Sequence, residues 1–181
     1  MSDTHLRGAH NAENLMAAMG AGVVKGLGLQ QMSAALTSYR ALPHRCEPIG
    51  EFEGVEYVND SKATNLDALE KAIDSETRPI VLIAGGKDKG FEFDSVTDLV
   101  AEHCRAVVLI GEMEDRIDAI WSSRVPCIKA GRSLADAVRI ARQQARPGDV
   151  VLFSPGTSSF DMFKNYADRG NQFREAVSNL L

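Results

Sequence analysis

The chain has no apolar run that could cross a bilayer. A spanning helix needs about 20 consecutive apolar residues, and the longest runs here, such as residues 79–84, are far shorter. The first ten residues are polar, so no secretion signal is expected. Cysteine is scarce: Cys46, Cys104 and Cys127 are odd in number and widely separated. They have no metal-ligand spacing, and they favour reduced thiols in a cytoplasm. The histidines, His5, His10, His44 and His103, are scattered, and each is expected to be structural or solvent-facing rather than a metal ligand. No Ser-His-Asp order can be read, and no pair of carboxylates stands out for acid–base work. A net charge of -5 argues against nucleic acid as the main partner. There is no P-loop either. The glycine run at residues 20–26 is not ended by Gly-Lys-Ser or Gly-Lys-Thr. No strand precedes that run, which excludes a dinucleotide fingerprint and leaves a helix end and turn.

What is present is an ordinary globular composition, 44% hydrophobic and 25% charged over 181 residues. That suits one domain, or one domain with an appendage. Residues 1–9 read as a tail or a broken-off strand. Residues 11–19 and 30–39 have helical periodicity. Leu15, Met16 and Met19 are the apolar residues of the first. Met32, Ala35, Leu36 and Tyr39 form the expected buried side of the second. Two short helices make a poor core, so they are expected to lean on the rest of the chain or on something outside this span. Pro43 marks a boundary, and residues 46–58 suit a β-hairpin turning at Glu53-Gly54. Strand and helix then alternate. Apolar runs at residues 79–84, 106–110 and 150–153, with a weaker one at 125–129, lack polar alternation, which means burial on both faces of a mainly parallel sheet. Helical patterns over residues 94–104 and 112–121 separate the runs. Ser133 with Asp136 opens a capped helix to Ala145, and a last helix carries Phe173, Val177 and Leu180. The predicted fold is α/β and Rossmann-like: a mainly parallel sheet with helices on both faces, an antiparallel hairpin at its start, and two short helices before it.

In such a sheet, ligands bind outside the carboxyl ends of the strands, and the residues expected there share a chemistry. One strand end carries Asp60, Lys62 and Thr64 and leads into a helix with Leu66, Leu69, Ala72 and Ile73 on one face, which Thr64 or Asn65 can cap. Another carries Gly85-Gly86-Lys87-Asp88-Lys89-Gly90, a third only Gly111-Glu112, and the last Ser154-Pro155-Gly156-Thr157-Ser158-Ser159. Each glycine singly is a tight turn. Three turns rich in cations or hydroxyls on one rim make a pocket for an anionic ligand. Asp60 differs: it could hold a ribose hydroxyl or a hydrated metal. The set positions and neutralises anions and offers no nucleophile.

Four longer motifs carry a family resemblance: His10-Asn11-Ala12-Glu13-Asn14 with Ala17-Ala18, Pro43-His44-Arg45-Cys46-Glu47, Asn59-Asp60-Ser61-Lys62-Ala63-Thr64-Asn65, and Ser154-Pro155-Gly156-Thr157-Ser158-Ser159-Phe160-Asp161 with Phe163-Lys164-Asn165-Tyr166 and Arg169-Gly170. Together they resemble the Mur ligase family of ATP-dependent, amide-forming enzymes. The last motif is most similar to the branch that adds D-glutamate in peptidoglycan synthesis. The resemblance implies that residues 1–42 are the tail of a central ATPase domain and residues 43–181 a carboxyl-terminal ligase domain. It implies that the UDP-binding domain, the P-loop, a magnesium-binding glutamate and a modified lysine lie outside this span. The span alone is therefore expected to be inactive and to hold neither ATP nor Mg2+ tightly. In the complete enzyme, ATP makes an acyl phosphate on UDP-N-acetylmuramoyl-L-alanine, and the D-glutamate amine attacks it, releasing ADP and phosphate. By the same resemblance Asn11, Asn14, Arg45 and Asp60 touch the nucleotide, and Lys62 is the catalytic cation. Lys62 and Thr64 face carboxylate and phosphate oxygens, Lys89 and Ser159 hold the D-glutamate carboxylates, and Tyr166 stands at an aromatic wall where relatives often have Phe. Lys87 shares the turn of Lys89 and could fill its role, and Gly156-Thr157-Ser158 replaces an Ala-Cys-Ala often seen there. A monomer with no membrane partner is expected. The alternatives are a ligase domain for another amino acid, in another Mur ligase or a folylpolyglutamate synthase, and a non-catalytic anion- or nucleotide-binding module.

Overall fold

The structure is a computed structural model that describes residues 9–39 and 42–180. The tail expected at residues 1–9 lies outside the described residues but for Ala9. The chain divides into two compact units, Met1–Pro43 and His44–Leu181.

In the first unit, α1 (Ala9–Val24) and α2 (Leu29–Ser38) form a helical pair. The interruption expected at Gly20 does not occur. The helix runs on to Val24, and the turn comes at Gly26, whose φ is 76°. The reason is tertiary: a Cβ on Gly22 would lie 2.6 Å from the Met32 sulfur, so glycine here is the gap into which Met32 packs. Of the side expected to be buried in α2, Met32 is buried and Leu36 half-buried, whereas Ala35 and Tyr39 are exposed.

The second unit opens with β1 (Glu47–Phe52) and β2 (Val55–Asn59), paired antiparallel. Glu53 and Gly54 between them have φ values of 49° and 75°, the left-handed pair that matches strand twist in a two-residue hairpin. There follow α3 (Leu66–Asp74), β3 (Ile80–Gly85), a 3-10 turn (Phe93–Val96), α4 (Thr97–His103), β4 (Cys104–Ile110), α5 (Glu114–Trp121), β5 (Cys127–Lys129), α6 (Leu134–Gln144), β6 (Val150–Phe153) and α7 (Tyr166–Ser178). The helix expected over residues 94–104 is thus a 3-10 turn and a short helix, and Cys104 already belongs to β4, paired with Ile80. The sheet has six strands in the order β1-β2-β6-β3-β4-β5, parallel from β2 onward.

Strand residues alternate between two cores. Val58, Leu82, Val107, Leu109 and Leu152 pack with Leu69, Ile73, Val100, Ile117 and Trp121 of α3, α4 and α5. Tyr57, Val81, Ile83, Val108, Val151 and Phe153 pack with Val138, Ala141, Phe173 and Val177 of α6 and α7. The unbroken apolar runs result from this double burial. It also decides where a ligand can enter. Strands β2 and β3 hand on to helices of the first face, while β6 between them hands on to α7 on the second. The loops part on either side of the end of β6, which is how a doubly wound sheet opens a crevice.

Helix starts are capped locally. The α3 helix is capped by Asn65, whose Oδ1 accepts from the Ala68 N–H at 2.9 Å, and not by Thr64. Asn65→Ala is expected to cost about 1 kcal/mol, read as a lower urea midpoint at unchanged slope.

Candidate functional site

The rim is assembled from the loops after β2, β6 and β3. The first of these, residues 60–65, is drawn into a turn by the Ala63 N–H donating to the Asp60 carbonyl at 2.9 Å. It is sewn to the end of β6 at both main chain and side chain. The Asp60 N–H donates to the Phe153 carbonyl at 2.8 Å, and the Ser154 hydroxyl donates to Asp60 Oδ2 at 2.8 Å. Asp60 Oδ1 accepts the Cys46 N–H at 3.2 Å. Asp60 is 4% exposed, and burial pushes its pKa up to about 6 against the hydrogen bonds from Ser154 and Cys46 and the nearby Arg45.

The β3 loop joins the β6 loop by an isolated bridge, with the Lys87 N–H donating to the Ser158 carbonyl at 2.9 Å and the Thr157 hydroxyl donating to the Lys87 carbonyl. Gly86 makes this approach possible. Its φ is 138°, and a Cβ there would strike the Ser158 carbonyl oxygen. The two lysines of the loop point apart. Lys87 Nζ lies 3.6 Å from Glu112 at the end of β4. Lys89 Nζ instead donates to the Thr64 carbonyl at 3.3 Å and stands 4.9 Å from the centre of the Phe91 ring. Lys89 therefore leans toward the Lys62–Thr64 turn, and Lys87 leans away from it.

Lys62 is half-buried, and its ammonium sits 4.4 Å from the centre of the Tyr166 ring, 3.4 Å from the hydroxyl. Ser159 is 3% exposed, and its carbonyl accepts from the Met162 and Phe163 N–H groups at 3.2 and 2.9 Å. Thr64 is half-buried and Arg45 exposed. Lys62, Thr64, Lys89, Ser159, Tyr166 and Asp60 thus come from neighbouring loops that bond to one another. Asn11, half-buried, and Asn14, exposed, lie in the first unit.

Three further residues, quoted in the motifs but given no contact in the site, hold the rim together. Arg169 is fully buried beneath the rim and donates from all three guanidinium nitrogens: Nε to the Ser61 hydroxyl at 3.0 Å, Nη2 to the Ser61 carbonyl at 2.8 Å and Nη1 to the Thr157 carbonyl at 3.1 Å. His44 is buried with a φ of 65°, and its Nδ1 accepts from the Asn59 amide at 3.0 Å. Burial lowers its pKa more than Glu47 raises it, which suits a neutral acceptor. Asp161 Oδ2 accepts the Glu112 N–H at 2.9 Å and closes the β4 loop onto the β6 loop. A signal for Arg169 was available: it is spaced by four from Phe173 and by eight from Val177, on the apolar stripe of its helix.

Fold and rim together define an α/β domain whose carboxyl edge gathers ammonium groups and hydroxyls on adjoining loops, braced from below by a buried guanidinium. The chain belongs to the Mur ligase family: residues 44–157 match its glutamate ligase domain. It is 46% identical over 182 residues to the UDP-N-acetylmuramoylalanine–D-glutamate ligase of Marinobacter nauticus, covering 99% of this chain and 41% of that protein. The UDP-N-acetylmuramate-alanine ligase of Thermotoga maritima superposes with a TM-score of 0.72 at 16% identity, over 98% of this chain and 40% of that one. The folylpolyglutamate synthase of Mycobacterium tuberculosis, solved with ADP and AMPPCP, gives 0.66 at 15% identity, over 94% and 41%. The chain spans about two fifths of the length of the curated relative.

Proposed function

We propose that this span is the D-glutamate-binding part of an ATP-dependent ligase that joins D-glutamate to UDP-N-acetylmuramoyl-L-alanine through an acyl phosphate in peptidoglycan synthesis. The observation that carries the reading is the meeting of Lys62, Lys89 and the Ser158-Ser159 turn on three adjoining loops. A small dicarboxylate needs two separated anion sites, and two lysines on opposite loops supply them. Lys89 and Ser159 take the carboxylates of D-glutamate, the orientation of Lys89 favouring it over Lys87. Lys62 and Thr64 face carboxylate and phosphate oxygens alike: the ammonium assists at the glutamate carboxylate nearer Ser159, and in the transition state it neutralises charge that grows on the acyl phosphate. Tyr166 borders this space.

Arg45, exposed beside Asp60, is the residue here best suited to nucleotide oxygens, as Asn14 is in residues 1–42, which we read with Asn11 as the tail of the ATPase domain. Asp60 supports from beneath, since both its oxygens are engaged and buried. The same engagement makes it a poor magnesium ligand. Among the described residues no group of three His, Cys, Asp or Glu side chains is arranged to hold a metal, so no step is assigned to Mg2+ in this span. The rest of the nucleotide site and the UDP-binding part belong to segments outside it. We assign the chain to the cytoplasm, where a soluble nucleotide precursor would be used. No helix of the described residues is long and apolar enough to cross a membrane. A monomer is the expected state.

Calorimetric titration tests the reading. D-Glutamate is expected to bind more tightly than L-glutamate, and Lys89→Ala to weaken it by about tenfold or more, the worth of one charge-assisted hydrogen bond. Equal affinity for both enantiomers, or an unaffected Lys89→Ala, would sink it.

A further inference from the structure

We infer that Tyr166 serves the site as a positioning residue for Lys62, through the face of its ring. The inference rests on the reading of Lys62 as a substrate-facing cation. Lys62 lies on an irregular turn and carries a flexible four-carbon side chain, which by itself leaves the ammonium free to sweep a wide arc. Three contacts remove that freedom. The Lys62 N–H donates to the His44 carbonyl at 2.9 Å, which fixes the start of the side chain. The neighbouring Ser61 hydroxyl donates to the Tyr166 carbonyl at 2.7 Å, which ties the turn to the first residue of α7. The ammonium then rests 4.4 Å from the ring centre of that same residue. Main chain and ring of Tyr166 thus grip consecutive residues of the turn.

The place of Tyr166 is itself determined. Asn165 caps α7 by accepting the Asp168 N–H at 2.9 Å, and Arg169, one turn on, is locked to Ser61 and Thr157. The ring is 37% exposed, so it does not stand where it is for the sake of a core. The ammonium is 3.4 Å from the hydroxyl and 4.4 Å from the ring centre, so it stands over the hydroxyl end of the ring; the hydroxyl contact is long for a hydrogen bond, and the ring is in the range of a cation–π pair. The ring should therefore matter more than the hydroxyl. A wall residue that touched glutamate directly would need no lysine over it. Here the ammonium already covers the hydroxyl end of the ring.

The test uses the whole chain with 13C-labelled lysine, the Lys62 signal being assigned by its loss in Lys62→Met. A methylene held over an aromatic face resonates upfield of a free lysine. The Lys62 ε-CH2 is expected upfield in the wild type and in Tyr166→Phe, and at the free position in Tyr166→Leu. Amide spectra of the variants report whether the fold is kept. D-Glutamate affinity should change less than twofold in Tyr166→Phe and fall about tenfold in Tyr166→Leu, the size of a partly desolvated cation–π contact. A free-position signal in the wild type overturns the inference. So does an upfield signal that survives Tyr166→Leu, or a loss of affinity in Tyr166→Phe equal to that in Tyr166→Leu. If the wild type shows the upfield signal but binds no glutamate, the ligand reading fails while the hold of Tyr166 on Lys62 stands.

Discussion

Arg169→Ala is expected to lower the unfolding free energy of the second unit by about 3–5 kcal/mol, the largest effect of any single change near the rim. The guanidinium is 0% exposed. Among the described residues no carboxylate pairs with it, and its donors go to one hydroxyl and two carbonyls. Burial pushes its pKa down to about 10, with Asp161 and Asp60 opposing at longer range, so it remains a cation at neutral pH. A buried ion is tolerable only when its hydrogen bonds are made, and these three bonds help to bind α7 to the loops after β2 and β6. Truncation leaves the Ser61 and Thr157 carbonyls without that donor, at roughly 1–3 kcal/mol each. It also leaves a void beside Phe153, whose ring centre is 5.9 Å from the guanidinium. Urea unfolding followed by Trp121, the chain's single tryptophan and fully buried, reads the loss. A change below about 1 kcal/mol would show that the loops hold each other without the guanidinium. Ligand affinity should fall together with stability, because the same bonds set the distance between the Lys62 turn and the Ser158-Ser159 turn.

The parts legible in the sequence are those set by local chemistry. Glu53-Gly54 named the hairpin turn because glycine accepts the left-handed conformation that the second position of the turn requires. The apolar runs gave away a sheet covered on both faces, because burial on both faces removes polar alternation. Glycines and lysines after those runs then fell on one edge, since parallel strands end together. What was hidden depends on partners distant in the chain. Gly20 and Gly22 read as breakers, yet Gly22 is there for the approach of Met32. Lys62 and Tyr166 are 104 residues apart, and only the return of the chain through β6 and α7 lays one on the other. Asp60 read as a group open to a ribose hydroxyl or a hydrated metal because nothing local announces that Cys46 and Ser154 will close over it.

That closure leads to the second prediction: at pH 7, Asp60→Asn is expected to make the protein more stable, by about 1–3 kcal/mol. An aspartate pKa raised to about 6, desolvation being the largest cause, lies about two units above its unfolded value near 4. Between those values the folded state holds the extra proton, so unfolding free energy falls as pH rises through the window. The ionised carboxylate thus costs stability above about pH 6, and the cost disappears below about pH 4. Asparagine keeps an oxygen for the Cys46 N–H and turns an amide toward the Ser154 hydroxyl, which can accept as well as donate. The gain should accordingly be greatest at pH 7 and close to zero at pH 4, as measured by paired urea titrations of wild type and variant. A variant less stable at pH 7, or one whose gain is the same at both pH values, would mean that the carboxylate is stabilised in place by Arg45 and its hydrogen bonds. A group that weakens its own fold at working pH is kept for something else. On the function proposed here, its negative charge attracts Arg45 and holds it ready for the nucleotide. The same Asp60→Asn variant should therefore lose nucleotide-dependent ligation when the remaining segments are supplied, while its own melting point rises.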